Sequence, residues 1–93
     1  MTVFAKDPGA LLDYTIDWAA QYLAGDALAS SIWSVEPDET GGIQVAGHGF
    51  DTSTTHVSLS AGIPGHIYRV TNRVTTGGGR TDERSLDIRV LER

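Results

Sequence analysis

The stretch RVTTGGGRTDERS, residues 73–85, contains residue types that often carry chemistry on a loop: three consecutive glycines, then arginines interspersed with carboxylates. A phosphate-binding loop would need these glycines to follow a strand and open a helix, usually with a lysine that reaches the phosphate. The residues after Arg80 instead alternate as in a strand, and Lys6 is the only lysine in the chain. The sequence therefore does not favour a nucleotide site.

The charged residues of this stretch also make poor catalysts. Arginine does not act as a general base, and a carboxylate beside arginines is held in its ionised form. Nucleophile motifs such as G-x-S-x-G are absent, and there is no cysteine. We therefore predict a non-enzymatic protein without a cofactor. We interpret the charges as contacts to other protein surfaces, with these candidate interface residues: Arg69, Arg73, Arg80, Asp82, Glu83 and Arg84.

The residues that most often bind metals are scattered. His48, His56 and His66 lie in or beside predicted turns, without a second ligand at helical spacing. The acidic residues lack the spacing of a calcium-binding loop. We predict no metal site, with two alternatives open: zinc held by separate loops, and weak calcium binding at Asp38 and Glu39.

Three aromatic residues, Trp18, Tyr22 and Trp33, could form a platform for a sugar or a partner protein. A domain this small needs its large aromatic side chains as core or interface anchors. We therefore favour a packing role, and sugar stacking is the alternative.

Length and composition indicate one soluble domain over residues 1–93. The chain is 40% hydrophobic and has a net charge of −5, and we expect neither a membrane-spanning segment nor a secretory leader. The acidic balance argues against nucleic-acid binding, which needs a basic surface. We expect synthesis in a cytoplasm, with no nucleic acid and no membrane among the partners.

The charges are unevenly distributed. Residues 1–60 hold eight acids and Lys6, whereas residues 61–93 hold six arginines and four acids. If the fold keeps these segments on different faces, copies could meet head to tail and close a ring. The alternative is that a sandwich interleaves the two segments and removes the asymmetry.

Alternation with a period of two recurs along the chain and predicts strands. In LLDYTIDW, residues 11–18, even-numbered side chains are apolar; similar patterns occur in ALASSIWSV, GIQVAGHGFD (with a bulge or a close backbone approach), HVSLSAG, HIYRVTNRVTT and RSLDIRVLE. Six or seven such segments predict an all-β fold, a small immunoglobulin-like antiparallel β-sandwich, with at most a short helical turn near residues 18–24. The predicted core is Tyr14, Ile16, Trp18, Trp33, Val57, Leu59, Tyr68, Val70, Val74, Leu86, Ile88 and Val90.

The last two segments predict a hairpin. Apolar faces coincide when paired residue numbers have an even sum, as with Val70 opposite Ile88 and residue 74 opposite residue 84, which leaves GGGRT as the loop unless a bulge shifts the count. Tyr68, in GHIYRV, is a candidate for a tyrosine corner, in which the phenol bonds back to the backbone.

Two long stretches resemble small tailed-bacteriophage proteins described as fiber-tail adaptor or virion proteins. They are KDPGALLDYTIDWAAQYLAGDALASSIWSV and VSLSAGIPGHIYRVTNRVTTGGGRTDERSLDIRV. The residues that carry this resemblance are Asp13, Tyr14, Asp17, Trp18 and Trp33, then Tyr68, Thr71, Asn72 and residues 79–85.

The resemblance implies a non-enzymatic structural component of a virion, made in the host cytoplasm and located in the head-tail, tail or fiber-attachment region. We expect several copies around a symmetric ring, in contact with tail, connector, fiber or capsid subunits. The alternatives are a capsid decoration protein and, from another class, a carbohydrate-binding or adhesive module.

Overall fold

The computed structural model describes residues 3–19 and 25–91. The strands in this part of the chain are β1 (Val3–Lys6), β2 (Leu12–Asp17), β3 (Leu28–Glu36), β4 (Gln44–Phe50), β5 (Thr54–Ser60), β6 (Ile67–Thr76) and β7 (Thr81–Val90). Of the helical turn predicted near residues 18–24, residues 20–24 lie outside the described part. No helix among the described residues is long and apolar enough to cross a membrane.

The strands form two sheets packed as a sandwich, which confirms the predicted fold class. One sheet has four strands in the order β1-β7-β6-β3, and the other has three in the order β2-β5-β4. Neighbouring strands are antiparallel except β1, which runs parallel to β7. The predicted bulge in GIQVAGHGFD lies between Val45 and Gly47.

The core lies between the inward faces of the two sheets. On β5, β6 and β7 it consists of alternate residues that are almost wholly buried, as the period of two predicts. Tyr14 and Trp33 are half-buried at its margin. The sequence patterns missed two buried residues: Leu28, which lies next to a bulge, and Ile43, which lies in a loop. The buried apolar residues are Ile16, Trp18, Leu28, Ile43, Val57, Leu59, Tyr68, Val70, Val74, Leu86, Ile88 and Val90.

The first strand, which the sequence patterns did not predict, is held by Lys6. Its buried ammonium donates hydrogen bonds to the carbonyl oxygens of Asp7 (2.9 Å) and Ala61 (2.7 Å). Burial lowers the pKa of Lys6, while the nearby Asp7 carboxylate raises it. The lysine therefore connects β1 to the β5–β6 loop.

The register predicted for the last hairpin is wrong by two residues. Val70 lies opposite Leu86, not Ile88, and Val74 lies opposite Asp82, not Arg84. Both registers have even sums, so both align the apolar faces, and the turn decides between them.

The turn is a three-residue loop, residues 77–79, rather than GGGRT. The Thr76 N–H donates to the Arg80 carbonyl (2.8 Å), and the Gly79 N–H donates to the Thr76 carbonyl (3.0 Å). Gly79 has a φ of 88°, the left-handed conformation that a hairpin loop of this length requires at its last position.

Tyr68 forms the predicted tyrosine corner. Its buried phenol oxygen accepts a hydrogen bond from the Ile63 N–H (3.2 Å) and donates to Glu39 Oε1 (2.5 Å). His66 Nδ1 lies 2.7 Å from the same carboxylate oxygen. Burial raises the pKa of Tyr68, whereas the hydrogen bonds from Tyr68 and then His66 lower the pKa of Glu39. These contacts tie the β3–β4 loop to the start of β6.

The lowered pKa of Glu39 predicts a pH-dependent stability. The unfolded chain binds a proton at Glu39 more tightly than the folded chain does. The ionised Glu39 therefore contributes its full stabilisation of the fold above the ordinary pKa of 4.5, and this contribution is lost as the pH falls through the lower pKa of the folded state. We expect the difference in unfolding free energy between wild type and Glu39→Gln to be largest near neutral pH and to shrink below about pH 4.

Denaturant unfolding across this pH range measures the difference. Asp38→Asn is the matched control, since the exposed Asp38 makes no hydrogen bond to the described residues. A Glu39→Gln effect that is constant from about pH 7 to pH 3 would contradict this interpretation.

Candidate protein interface

The outward side of the four-stranded sheet is a polar face, which we call the outer face. It consists of the even-numbered residues 30–36 of β3, the odd-numbered residues 67–75 of β6 and 81–89 of β7, and Val3 and Ala5 of β1. The register places these side chains in rows across the sheet. Two rows of hydroxyl groups alternate with two rows in which arginines oppose carboxylates, and Ile67 and Arg89 form a further row at the end.

The two charged rows bring arginines opposite carboxylates. Arg69 lies between Glu36 and Asp87, and its Nε is 3.2 Å from Asp87 Oδ1. Arg73 lies opposite Glu83, but among the described residues these two side chains form no ion pair. Such exposed pairs contribute little stability, so their arrangement matters more for what they can meet.

The hydroxyl rows consist of short side chains that contact one another across neighbouring strands. Between the charged rows, Thr71 Oγ1 lies 2.8 Å from Ser85 Oγ, with Ser34 on the other side of Thr71. Towards the hairpin tip, Thr75 Oγ1 lies 3.5 Å from Thr81 Oγ1. The centre of the outer face is therefore free of bulky side chains.

Exposed aliphatic side chains and two recesses lie on the same face. Val3, Ile32 and Ile67 are 60%, 62% and 57% exposed. One recess of about 430 Å³ is lined by Glu36, Pro37, Ile67, Arg69 and Asp87, and another of about 510 Å³ by Arg73, Thr81, Asp82 and Glu83. Aliphatic groups beside arginines are typical of protein contact surfaces.

The structure divides the six predicted interface residues into three groups. Arg69, Arg73 and Glu83 lie on the outer face, and Arg80 lies at the hairpin tip. Asp82 and Arg84 have the same parity as the buried Leu86, so they lie on the opposite side of β7, near its start. The six do not form one patch, and their contact with a partner stays a prediction.

The charge asymmetry is largely removed by the fold. Arginines and acids oppose each other across β3, β6 and β7, although these strands come from both parts of the sequence. The three-stranded sheet carries Asp13 and Asp17 and no arginine or lysine on its strands. The structure therefore supports interleaving over a separation into a basic and an acidic face.

Arg84 lies over the indole ring of Trp18. Its guanidinium carbon lies 4.5 Å from the centroid of the Trp18 ring, which is fully buried. An arginine over an indole face is a stabilising cation–π arrangement. Arg84 thus has an intramolecular partner, which the sequence patterns did not predict.

Below this arginine, Trp18, Thr55 and Asn72 form a buried cluster that we call the polar core cluster. Trp18 Nε1 donates to Asn72 Oδ1 (3.1 Å) and Thr55 Oγ1 (3.2 Å), and Thr55 Oγ1 donates to Asn72 Oδ1 (2.7 Å). Asn72 Nδ2 donates to Ser31 Oγ (2.9 Å) and the Ile32 carbonyl (3.1 Å). The cluster joins the two sheets.

The glycine loop is held by the carboxylate of Asp26, which precedes β3. Asp26 Oδ1 accepts hydrogen bonds from Gly78 N–H (3.2 Å) and Ala27 N–H (2.8 Å), and Arg80 Nη2 lies 3.5 Å from Oδ2. Hydrogen bonding, first from the Thr76 hydroxyl, lowers the pKa of Asp26. The loop thus does bind an anion, but that anion is a carboxylate of the same chain.

Neither the aromatic residues nor the histidines and acids of the described part form a recognisable ligand site. The burial of Trp18 argues against a sugar platform, Trp33 is half-buried, and Tyr22 lies outside the described residues. Across residues 3–19 and 25–91, no group of three or more histidines, cysteines or acids is arranged to hold a metal ion.

Removing the amide at the centre of the polar core cluster should be costly. Asn72→Ala removes one hydrogen-bond acceptor of Trp18 Nε1 and opens a cavity, so we expect the unfolding free energy to fall by about 2–4 kcal/mol. Thr71→Ala, at the neighbouring outward position, should cost less than about 1 kcal/mol. Equal losses in urea unfolding would show that the cluster does not join the sheets as described.

The glycine loop offers a matched pair of substitutions. A Cβ at Gly78 would lie 2.7 Å from Asp26 Oδ2, whereas a Cβ at Gly77 would meet nothing closer than 3.7 Å. We expect Gly78→Ala to destabilise the protein by about 1–3 kcal/mol by displacing the carboxylate, and Gly77→Ala to change stability by less than about 1 kcal/mol. Thermal unfolding distinguishes them, and similar melting temperatures would contradict the close approach.

Comparisons with known proteins agree with the fold and identify the family. A solved structure titled "Solution structure of the PKD domain from KIAA 1837 protein" matches with a TM-score of 0.54 and 16% identity, over 98% of this chain and 79% of that one. Among curated proteins, none matches the chain. Residues 6–89 match the family described as podophage GP4 fiber-tail adaptor protein gp77. The chain therefore belongs to this family of phage fiber-tail adaptor proteins.

Proposed function

We propose that the protein is a non-enzymatic structural component of a tailed-phage virion, where it joins a fiber protein to the tail. The observation that carries this proposal is the family match over residues 6–89, which includes all of β2 to β6, the glycine loop and most of β7. The match therefore covers strands of both sheets, apart from most of β1 and the end of β7, rather than a short motif within them.

The shape of the sandwich suits an adaptor. An adaptor must hold two partners at once, and the principal extents of 42 × 21 × 18 Å separate the two ends of the sandwich. One end, the hairpin end, contains the glycine loop and the turn at residues 51–53. The other contains the loops at residues 37–43 and 61–66. We propose that fiber and tail proteins bind at opposite ends.

Both ends are braced, which supports this role. Asp26 fixes the glycine loop at one end, and the bond between Tyr68 and Glu39 fixes the loops at the other. Loops already held in place lose less conformational freedom when a partner binds. We propose that Arg80 and Asp82 contribute contacts at the hairpin end, and that several copies are arranged by the symmetry of the tail.

The proposal can be tested by assembling particles with variants of this chain. We expect Asp82→Arg, at the hairpin end, to reduce fiber attachment to tails severalfold because it reverses an exposed charge at the proposed contact. Thr15→Arg, on the outward side of the three-stranded sheet, is the matched control and should assemble normally. Fiber occupancy by quantitative mass spectrometry of purified particles is the readout.

The outcome also separates the alternatives. A decoration protein would cross-link to capsid subunits over the whole shell. Particles that lack this chain would then still attach fibers normally. Loss of folding in Asp82→Arg, checked by circular dichroism, would disqualify that variant, and Arg80→Glu then provides the second test at the same end.

A further inference from the structure

We propose that the outer face of the four-stranded sheet is a self-complementary dimer surface, which binds the outer face of a second copy of this chain. The inference goes beyond the adaptor function and does not depend on it, since it concerns the isolated protein. It rests on the order of the strands and the placement of charges on them.

In the two rows on either side of the centre, the charges on the two central strands are sorted by sign, and Arg89 of β7 lies in a further row opposite Ile67. On β6, the outward charged residues are Arg69 and Arg73. On β7, the residues directly opposite them are Asp87 and Glu83. A basic strand thus lies beside an acidic strand across these rows, with the paired hydroxyls of Thr71 and Ser85 between the two rows.

A twofold axis converts this pattern into complementarity. The strand order β1-β7-β6-β3 makes β6 and β7 the middle of the face. The proposed axis runs parallel to the strands, halfway between the two facing sheets and level with the gap between β6 and β7. It would place β6 of one copy over β7 of the other, and each row would keep its position along the strands. Arg69 would then meet Asp87 of the second copy, and Arg73 would meet Glu83 of the second copy.

Packing at the centre is sterically permitted. The central row of the face consists of hydroxyl side chains, so two copies can approach closely there. Face-to-face sheets pack at roughly 30° to each other, which displaces the next rows sideways by about 4 Å. An arginine side chain spans such a displacement. Further out, the exposed Ile67 would meet the aliphatic stem of Arg89 of the second copy.

The available area indicates a weak, reversible dimer. The four strands have 4, 10, 10 and 9 residues, and at about 3.3 Å per residue and about 4.8 Å between strands they cover roughly 520 Å² per copy. The total of about 1,000 Å² lies at the low end of the sizes found for protein interfaces, where weak and transient contacts are found. The outward side of the three-stranded sheet offers no such match, because its charged residues, Asp13 and Asp17, are both acidic.

Charge reversal provides a direct test. In sedimentation velocity, we expect the wild-type chain to shift from monomer to dimer with rising concentration, and Arg73→Glu and Glu83→Arg each to weaken dimerisation at least about tenfold. An equimolar mixture of the two variants should dimerise again, because every reversed charge then meets an opposite charge on the other copy. Thr15→Arg should behave like wild type.

The mixture isolates the contact between copies. Within each variant, residues 73 and 83 still have like charges across the strand pair, so recovery cannot come from an intramolecular pair. Circular dichroism of each variant confirms folding, and if one fails to fold, Arg69→Glu with Asp87→Arg repeats the test in the other row. A wild-type monomer up to about 0.5 mM, or a mixture that stays monomeric, would overturn the inference and leave the adaptor function untouched.

Discussion

The hydrogen bonds of the polar core cluster are the constraint on which the sandwich depends. With no cysteine in the chain, no disulfide connects the two sheets, and Trp18 and Thr55 from one side meet Asn72 from the other. A buried amide or indole N–H is costly unless partnered, so the three residues fix one another. Because Asn72 must point inward, its neighbours Thr71 and Arg73 must point outward. The core thereby sets the pattern of the outer face.

Much of the fold could be predicted because a strand alternates with a period of two. Alternation alone located the buried apolar residues of β5, β6 and β7, among them Tyr68. It could not choose between hairpin registers of equal parity. That choice depends on Gly79 and on Asp26, which is distant in sequence. The strand β1 is too short to alternate visibly, and its parallel pairing is a property of the whole fold.

Contact of the candidate interface residues with a partner stays a prediction, but their placement follows from the alternation. Parity along β7 sends Glu83 outward and puts Asp82 and Arg84 on the side of Leu86, so charged residues adjacent in sequence do not form one surface. That signal was present in the alternation and could have been applied. The stacking of Arg84 on Trp18 could not have been predicted from the alternation, because it depends on how the two sheets pack. The residues that carry the family resemblance therefore include structural ones, among them Trp18, Asn72 and Arg84.

A braced sandwich with distinct ends is a reasonable construction for a part that must position one phage component on another. The most direct test of that role is a cryo-electron microscopy map of an intact particle of the phage that encodes this chain. We predict density for the sandwich between fiber and tail, with the glycine loop at one contact and the loop containing Glu39 at the other. Density spread over the capsid shell, or no sandwich between fiber and tail, would contradict the account.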